Sequence, residues 1–180
     1  MNLFLLDKDP ELAAIYHHNK HVVKMITESG QILSTALQLS HHMLGDNFKH
    51  LYKPTHQNHP CILWCHEKHN FAWAVDLMDA LIREYDYRYP LNKGKFLKAR
   101  YLVENFKRVV QINWGILLPN PNWKTAALAM PEEYRVFTSG RFPKLDPIKS
   151  YRNYYVNAKI PNQSWGKRGE PFWLLEYGNI

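Results

Sequence analysis

The chain has 180 residues, of which 46% are hydrophobic and 14% aromatic, a composition that excludes an intrinsically disordered protein and is sufficient for one folded domain. Two cysteines exclude a disulfide-stabilised secreted scaffold, and no apolar run approaches the length of a membrane-spanning helix. The net charge of +7 is unevenly placed, because residues 1–90 hold 8 basic and 10 acidic residues while residues 91–180 hold 15 and 6. The second half therefore carries the basicity, which favours a polyanionic partner such as nucleic acid.

The amino-terminal sequence MNLFLLDKDPE has no basic stretch and only five apolar residues before charges appear, so it does not predict a signal peptide. We expect an intracellular protein, in the cytoplasm of the cell that makes it or of an infected host, with no membrane association. Residues 3–6 are predicted to be a short strand or an extended segment in the core.

A first helix is predicted from about residue 10 to residue 44, because Asp9 suits the N-cap and Pro10 the first helical position. Ser29 and Gly30 predict a kink or break within it, and residues 45–47 predict its end. The apolar positions of this helix recur at helical spacing along one side, namely Leu12, Ile15, Val22, Ile26, Leu33 and Leu37.

A second helix is predicted from Pro60 to about Tyr89, and a third from Gly94 to about Ile112. Core positions of the second helix recur at helical spacing, namely Trp64, Phe71, Ala74, Met78, Leu81 and Tyr85. In the third helix the inward residues are predicted to be Leu97, Tyr101, Val109 and Val110.

Seven prolines break the chain beyond residue 115 into short pieces, of which only 124–136 and 146–159 can form one to three helical turns. The predicted fold is mainly α, a compact bundle of about three long helices with an irregular carboxy-terminal segment rich in proline and aromatic residues. We expect a single domain, with a helical core over 1–114 and the basic aromatic segment 115–180 packed on it.

All ten histidines lie between His17 and His69. In the predicted first helix, four polar residues spaced i, i+4, i+7 and i+11 share one face, namely His17, His21, Lys24 and Glu28. Imidazole, ammonium and carboxylate groups in one row suit proton transfer, phosphate binding or metal binding. The predicted catalytic role of Glu28 is that of a base, with the other three holding phosphate or moving protons, and a solvated face is the alternative.

His56 and His59 lie at the predicted start of the second helix, where free backbone N–H groups favour an anion. They are predicted to complete the catalytic pocket, while a capping or loop role is the alternative for His59. The dispersed histidines and the pair Cys61 and Cys65 also supply zinc ligands, but no paired CxxC motif is present. No cofactor is predicted, and zinc is kept as an alternative.

Aromatic and basic residues are interleaved in the second half, a pattern that suits extrahelical or single-stranded nucleotides because rings stack on bases and cations pair with phosphates. The alternative for these tyrosines and tryptophans is that they fill the core. The predicted nucleic-acid contacts are Lys20, Arg88, Lys98, Arg152, Tyr155, Trp165, Lys167 and Arg168.

Five segments carry a resemblance to known proteins: LLDKDPELAAIYHHNKHVVKM, YKPTHQNHP, EYDYRYP, ALAMPEEYR and SYRNYY. They are similar to a family of small proteins encoded by bacteriophages and large DNA viruses, and the resemblance spans most of the chain. It implies a viral origin rather than a mechanism.

The chain more distantly resembles the small bacteriophage pyrimidine-dimer DNA glycosylases, which are all-helical and carry catalytic residues on their first helix. That resemblance implies an acidic catalytic role for Glu28 and phosphate contacts for Lys24 and His21. The chain departs from that pattern at its start, since those enzymes use the amine of a Thr exposed by removal of Met, whereas Asn2 follows Met1 here. Their Arg-Glu pair on the first helix also has no direct counterpart.

The predicted function is that of a viral-type DNA-binding enzyme that acts on a base or on an N-glycosidic bond. Chemistry at a base within a duplex requires the base to be extruded, which accounts for aromatic and basic residues occurring together. Two alternatives stay open: a non-catalytic binder of nucleic acid or of a host protein, and a metal-dependent hydrolase or nucleotide-processing enzyme that uses the histidines.

Overall fold

A computed structural model describes residues 1–40, 50–115, 120–160 and 163–177 of the chain. The protein is mainly α-helical, with 62% helix and 2% strand, which confirms the predicted fold class. No helix within those ranges is both long enough and apolar enough to span a membrane. The described elements are α1 (Pro10–Tyr16), α2 (Asn19–Leu39), α3 (Pro60–Trp64), α4 (Lys68–Arg88), α5 (Leu97–Trp114), β1 (Val136–Phe137), β2 (Leu145–Asp146), α6 (Pro147–Ala158) and α7 (Leu174–Tyr177).

The three long helices α2, α4 and α5 form the centre of the fold, and α4 contacts α1, α2 and α5. All the core positions predicted between Trp64 and Tyr85 are buried. The prediction for α5 is wrong at Leu97 and Tyr101, which are exposed. The inward face of α5 has a different phase, since its buried side chains are Ala99, Leu102, Val103, Phe106 and Val109.

Both helix starts predicted from a cap followed by proline are confirmed. The Asp9 side chain accepts a hydrogen bond from the Glu11 N–H at the start of α1. His59 caps α3 in the same way, with its Nδ1 accepting from the Cys61 N–H at 3.2 Å. In each case proline takes the first helical position, where a missing N–H costs no hydrogen bond.

The break in the first predicted helix occurs at His17 and His18 instead of at Gly30. Both histidines have extended backbone, and the His18 N–H donates to the Tyr155 hydroxyl at 2.9 Å. The next N–H, of Asn19, donates to the Ser164 carbonyl at 2.8 Å. Because distant parts of the chain satisfy these two donors, the helix ends and restarts without leaving them unpaired.

Gly30 lies inside α2 and serves a close contact instead of a break. A Cβ at this position would lie 2.9 Å from Cε2 of Tyr52, so glycine allows the segment before α3 to lie directly on α2. The prediction that the helix ends at residues 45–47 falls outside the described residues, and α2 ends at Leu39. The second predicted helix is also divided, because the chain turns between Trp64 and Lys68.

Residues 3–6 are buried, as predicted, but they form no strand, and the Leu6 N–H turns back to donate to the Phe4 carbonyl at 2.9 Å. This segment runs between α2 and α6, and the Phe4 ring is in contact with aromatic rings from both helices. The described part of 115–177 is irregular apart from α6, α7 and the short hairpin β1–β2. Its Trp165 and Trp173 side chains are buried, so here the core-filling alternative is correct.

Candidate functional site

The row predicted from His17 to Glu28 is divided into two groups, because the helix break places His17 at the end of α1. His17 is fully buried, and its Nδ1 lies 2.6 Å from the Ala13 carbonyl oxygen. His21 is covered by the Phe4 ring, whose centroid lies 4.7 Å from that of the imidazole. Lys24 and Glu28 lie one and two turns further along α2, with side chains 62% and 13% exposed. The prediction of one shared face is therefore wrong at His17, whereas His21, Lys24 and Glu28 keep the helical spacing i, i+3 and i+7 on α2.

The buried histidine cluster consists of His17, His18 and His21. The His18 and His21 rings stack at 4.0 Å, and the Tyr155 hydroxyl lies 3.1 Å from Nδ1 of His21. Burial lowers the pKa of His17 to about 3, that of His18 to about 4 and that of His21 to about 2. All three rings are neutral at physiological pH and too buried to contact a substrate. The predicted catalytic roles of His17 and His21 are therefore excluded in this conformation.

Glu28 is the centre of the second group. Its Oε2 accepts a hydrogen bond from the Asn2 N–H at 3.0 Å and lies 3.8 Å from the amino group of Met1. Its Oε1 lies 3.3 Å from Nζ of Lys24. The carboxylate is thus oriented from two sides, by the amino-terminal segment and by its own helix, while part of it remains accessible.

His59 closes this group from the side of α3. Its ring lies close enough to the Met1 backbone and to Glu28 for both to raise its pKa, against the larger effect of burial. Burial is the main cause that lowers the pKa of His59, and the Met1 amino group and His56 add to it. Because its Nδ1 caps α3, the His59 ring has a fixed orientation beside Met1 and Glu28, and we treat His59 as a positioning residue.

His56 is exposed, and its backbone has a φ of 48°, in the left-handed region that a residue with a side chain seldom adopts. Its Nδ1 lies 2.7 Å from the Thr55 hydroxyl. The Thr55 N–H in turn donates to Oγ1 of Thr35 on α2 at 3.2 Å, which holds the loop against that helix. Strained backbone of this kind recurs at functional sites. We call Lys24, Glu28, His56 and His59, with the backbone of residues 1–2, the Glu28 site.

Asn2 connects the Glu28 site to the second half of the chain, and sequence analysis missed it. Its Oδ1 accepts from the Tyr151 hydroxyl at 2.9 Å, and its Nδ2 donates to the Ala129 carbonyl at 3.0 Å. The Cys61 thiol lies 3.6 Å from the same Oδ1. Burial raises the pKa of Cys61 to about 12, so this thiol is not a nucleophile at neutral pH.

Tyr154, a half-buried residue of α6, lies beside α2 in the region of His21. Its ring stacks near Phe4 at 6.1 Å and contacts the Tyr134 ring at 5.0 Å. Nζ of Lys159 lies 4.7 Å from the centroid of the Tyr154 ring. The positive charges of Lys24 and Lys159 both lower the pKa of His21, which places both cations near that position of α2. We call Tyr134, Tyr154 and Lys159 the Tyr154 platform.

Five of the predicted nucleic-acid contacts hold the chain together. Tyr155 and Trp165 are buried, and Nε1 of Trp165 donates to the Tyr16 carbonyl at 2.8 Å. Fully covered rings cannot stack on a base in this conformation. The three arginines make internal ion pairs or hydrogen bonds to Glu84, Asp7 and backbone carbonyls, and these are Arg88, Arg152 and Arg168.

The other three predicted contacts, Lys20, Lys98 and Lys167, are exposed. Lys20 lies in the first turn of α2, whereas Lys98 lies on α5 with its Nζ 4.1 Å from the Tyr52 ring centroid. Lys167 is next to Tyr87, with 5.8 Å between its Nζ and the ring centroid. They are not gathered into one patch with the Glu28 site by any contact that the described residues make.

Potential metal ligands do not converge in the described residues, where no group of three or more His, Cys, Asp or Glu side chains is arranged to hold a metal ion. Cys61 and Cys65 are both buried free thiols. The described residues therefore give no support to the zinc alternative.

Together the fold and site define a mainly α-helical protein with a carboxylate, a lysine and two histidines gathered where the amino-terminal segment crosses α2. Comparisons with protein-family models, with curated proteins and with solved structures find no match. The geometry of the site is therefore the basis on which its function can be inferred.

Proposed function

We propose that the protein is an enzyme of viral type that acts on a base or on an N-glycosidic bond of DNA, with Glu28 as the catalytic carboxylate. The observation that carries this proposal is the convergence of Lys24, His59 and the backbone of residues 1–2 on one partly accessible carboxylate. Ionisable groups spaced this closely around one carboxylate, with the pKa of His59 lowered mainly by burial, are typical of catalytic sites. The sequence resemblance to phage and viral proteins bears on the viral origin alone.

The chemistry of glycosidic cleavage suits a fixed carboxylate. Positive charge develops on the sugar as the bond to the base breaks, and a nearby carboxylate stabilises that charge or activates a water molecule. The Asn2 N–H orients Oε2 of Glu28, so the carboxylate needs no reorganisation during the reaction. His59 lies beside this carboxylate as a positioning residue.

Substrate binding is assigned to the groups around the carboxylate. Lys24 is exposed and forms an ion pair with one oxygen of Glu28. From this position its ammonium group also reaches a phosphate of the substrate. Lys159, whose Nζ lies over the half-buried Tyr154 ring, supplies a second cation near α2 for the phosphates of the substrate. His56 is exposed on the loop before α3, and we assign to it a further polar contact with the substrate.

Replacing Glu28 by Gln is expected to slow base release at least a hundredfold, the usual range for loss of a catalytic acid or base. Glutamine keeps the shape of the side chain and can still accept from the Asn2 N–H, so the fold is retained. The measurement is the amount of free base released from duplexes that carry damaged or modified bases, quantified by mass spectrometry. Glu104→Gln on α5 is the matched control, since Glu104 is 67% exposed and lies outside the site.

Equal rates for wild type and Glu28→Gln contradict the catalytic role of Glu28. If wild type releases no base from any duplex but binds DNA in a salt-dependent way, the non-catalytic binder is the correct class.

A further inference from the structure

The hairpin formed by residues 136–146 projects from the fold next to α6. Val136 pairs with Asp146 and Phe137 with Leu145, and residues 138–144 form an exposed tip. Two hydrogen bonds close the tip: the Thr138 N–H donates to the Lys144 carbonyl at 2.7 Å, and the Lys144 N–H donates to Oγ1 of Thr138 at 3.0 Å. The tip therefore has a defined shape in spite of its exposure.

The hairpin presents two large rings and two cations to solvent. Phe137 is 58% exposed and Phe142 is 78% exposed. The guanidinium carbon of Arg141 lies 5.7 Å from the centroid of the Phe142 ring. Neither Arg141 nor Lys144 takes part in the ion pairs of the described residues. Exposed rings beside uncompensated positive charge point to a partner that is both anionic and rich in flat surfaces.

The base of the hairpin is fixed to the helix that reaches the Glu28 site. Asp146 ends β2 and caps α6, where its side chain accepts from the Lys149 N–H at 3.0 Å. Ser150 ties both strands to that helix, because its Oγ accepts from the Val136 N–H and donates to the Asp146 carbonyl. Seven residues separate Pro147 from Tyr154, which is about 10 Å along a helix. Along a nucleic-acid strand, about three nucleotides cover this distance between the base of the hairpin and Tyr154.

We propose that this hairpin is a second DNA contact, in which Phe142 wedges against a base step while Arg141 and Lys144 neutralise phosphates. The proposal rests on the proposed function for its partner and adds a surface that the Glu28 site does not contain. Rings inserted beside a target position unstack and bend a duplex, which lowers the cost of extruding a base. A lipid surface fits less well, because the tip also carries Thr138, Ser139 and Gly140 and offers no continuous apolar face.

The test uses full-length Glu28→Gln protein, so that binding is measured without turnover, and a duplex containing 2-aminopurine as a reporter of base stacking. Fluorescence anisotropy at several salt concentrations gives the number of phosphates neutralised. The plot of log K against log salt concentration has a negative slope, whose magnitude follows the number of phosphates neutralised. The Arg141→Ala/Lys144→Ala variant is expected to reduce that magnitude by about 2. Phe142→Ala is expected to remove most of the 2-aminopurine fluorescence increase and to weaken binding about tenfold.

Two control variants carry the same chemical changes elsewhere. Lys93→Ala/Arg108→Ala removes two exposed cations near and on α5, and Phe172→Ala removes a ring that is 66% exposed. Both are expected to leave the slope and the reporter signal unchanged. Equal slopes for the hairpin and control variants overturn the inference. It is also overturned if the hairpin variants lose binding to vesicles containing 30% phosphatidylserine but bind DNA as wild type does.

The outcomes for the hairpin and for the proposed function are distinguishable. If wild type releases base from DNA and the hairpin variants bind it normally, the hairpin inference fails alone. If no base is released but the slope and the reporter depend on the hairpin, the DNA contact stands and the enzymatic proposal fails.

Discussion

Replacing Glu84 by Ala is expected to lower the free energy of unfolding by about 3–5 kcal/mol, because it leaves a buried guanidinium without its counter-charge. The Glu84 carboxylate accepts from Nε of Arg88 at 2.6 Å, and both side chains are almost fully buried. It also accepts from Arg168, whose Nη2 lies 2.7 Å away. A substitution that removes the shared carboxylate therefore affects two arginines at once.

The same interaction holds the carboxy-terminal segment against α4. Arg168 stacks on the Tyr87 ring at 3.9 Å while it binds Glu84, and Arg88 reaches the Asn19 side chain and the Ile15 carbonyl. Loss of Glu84 is therefore expected to expose the chain near Arg168 to trypsin in addition to lowering stability. Trypsin cleavage after Lys167 or Arg168 therefore reports on this interaction.

Urea unfolding measures the change in stability, and Glu11→Ala is the control. Glu11 also pairs with an arginine, Arg83, but both side chains are more than half exposed, and such pairs contribute about 0–1 kcal/mol. If Glu84→Ala and Glu11→Ala lower the free energy of unfolding equally, the buried network does not stabilise the fold as described.

Acid is expected to destabilise the protein well above the pH at which carboxylates titrate. Histidine in an unfolded chain has a pKa near 6.5, whereas burial lowers the pKa of His17 to about 3. Below pH 6.5 the unfolded state therefore binds a proton that the folded state does not bind. The stability that is present above pH 6.5 is lost as the pH falls towards 3.

Protonation of His17 in the unfolded state is by itself expected to lower the free energy of unfolding by about 2 kcal/mol as the pH falls from 6.5 to 4.5. His18 and His21 act in the same direction, since burial lowers the pKa of His18 to about 4 and that of His21 to about 2. The two rings stack on each other, so their contributions are coupled and add to less than the sum of two independent groups.

The measurement is urea unfolding of wild type, His17→Leu and His66→Leu at several values between pH 7.5 and 4.5. His17→Leu is expected to have a shallower pH dependence, because it removes one of the groups that titrate differently in the two states. His66 is exposed in the turn between α3 and α4, and its replacement is expected to leave the slope unchanged. A wild-type stability that is flat between pH 7 and 5 contradicts the buried, neutral state of this cluster.

Local signals in the sequence were sufficient for the fold class and for the starts of α1 and α3. Asp9 followed by Pro10, and His59 followed by Pro60, act through side-chain caps within a few residues. The helix break at His17 and His18 has no such local signal. It is stabilised by Tyr155 and Ser164, which are more than 130 residues away, and contacts of that range leave no periodic pattern in the chain.

The candidate site was predictable only in part for the same reason. Glu28, Lys24 and the pair of loop histidines were identified from their chemistry, but their meeting depends on the amino-terminal segment that crosses α2. Tyr154 and Tyr155 show the limit most clearly. Neighbouring helical residues point about 100° apart, so the Tyr155 ring is fully buried while the Tyr154 ring is half-buried, and composition cannot distinguish them.

Hydroxyl-radical footprinting of Glu28→Gln protein, with and without duplex DNA, tests most directly whether the Glu28 site and its neighbours bind the substrate. We predict that DNA protects His56, Tyr154 and Phe142 from oxidation and leaves the exposed α5 residues Tyr101 and Ile112 unprotected. Protection of Tyr101 and Ile112 with unchanged oxidation of His56 and Tyr154 would place the DNA on α5 and contradict substrate binding at the Glu28 site.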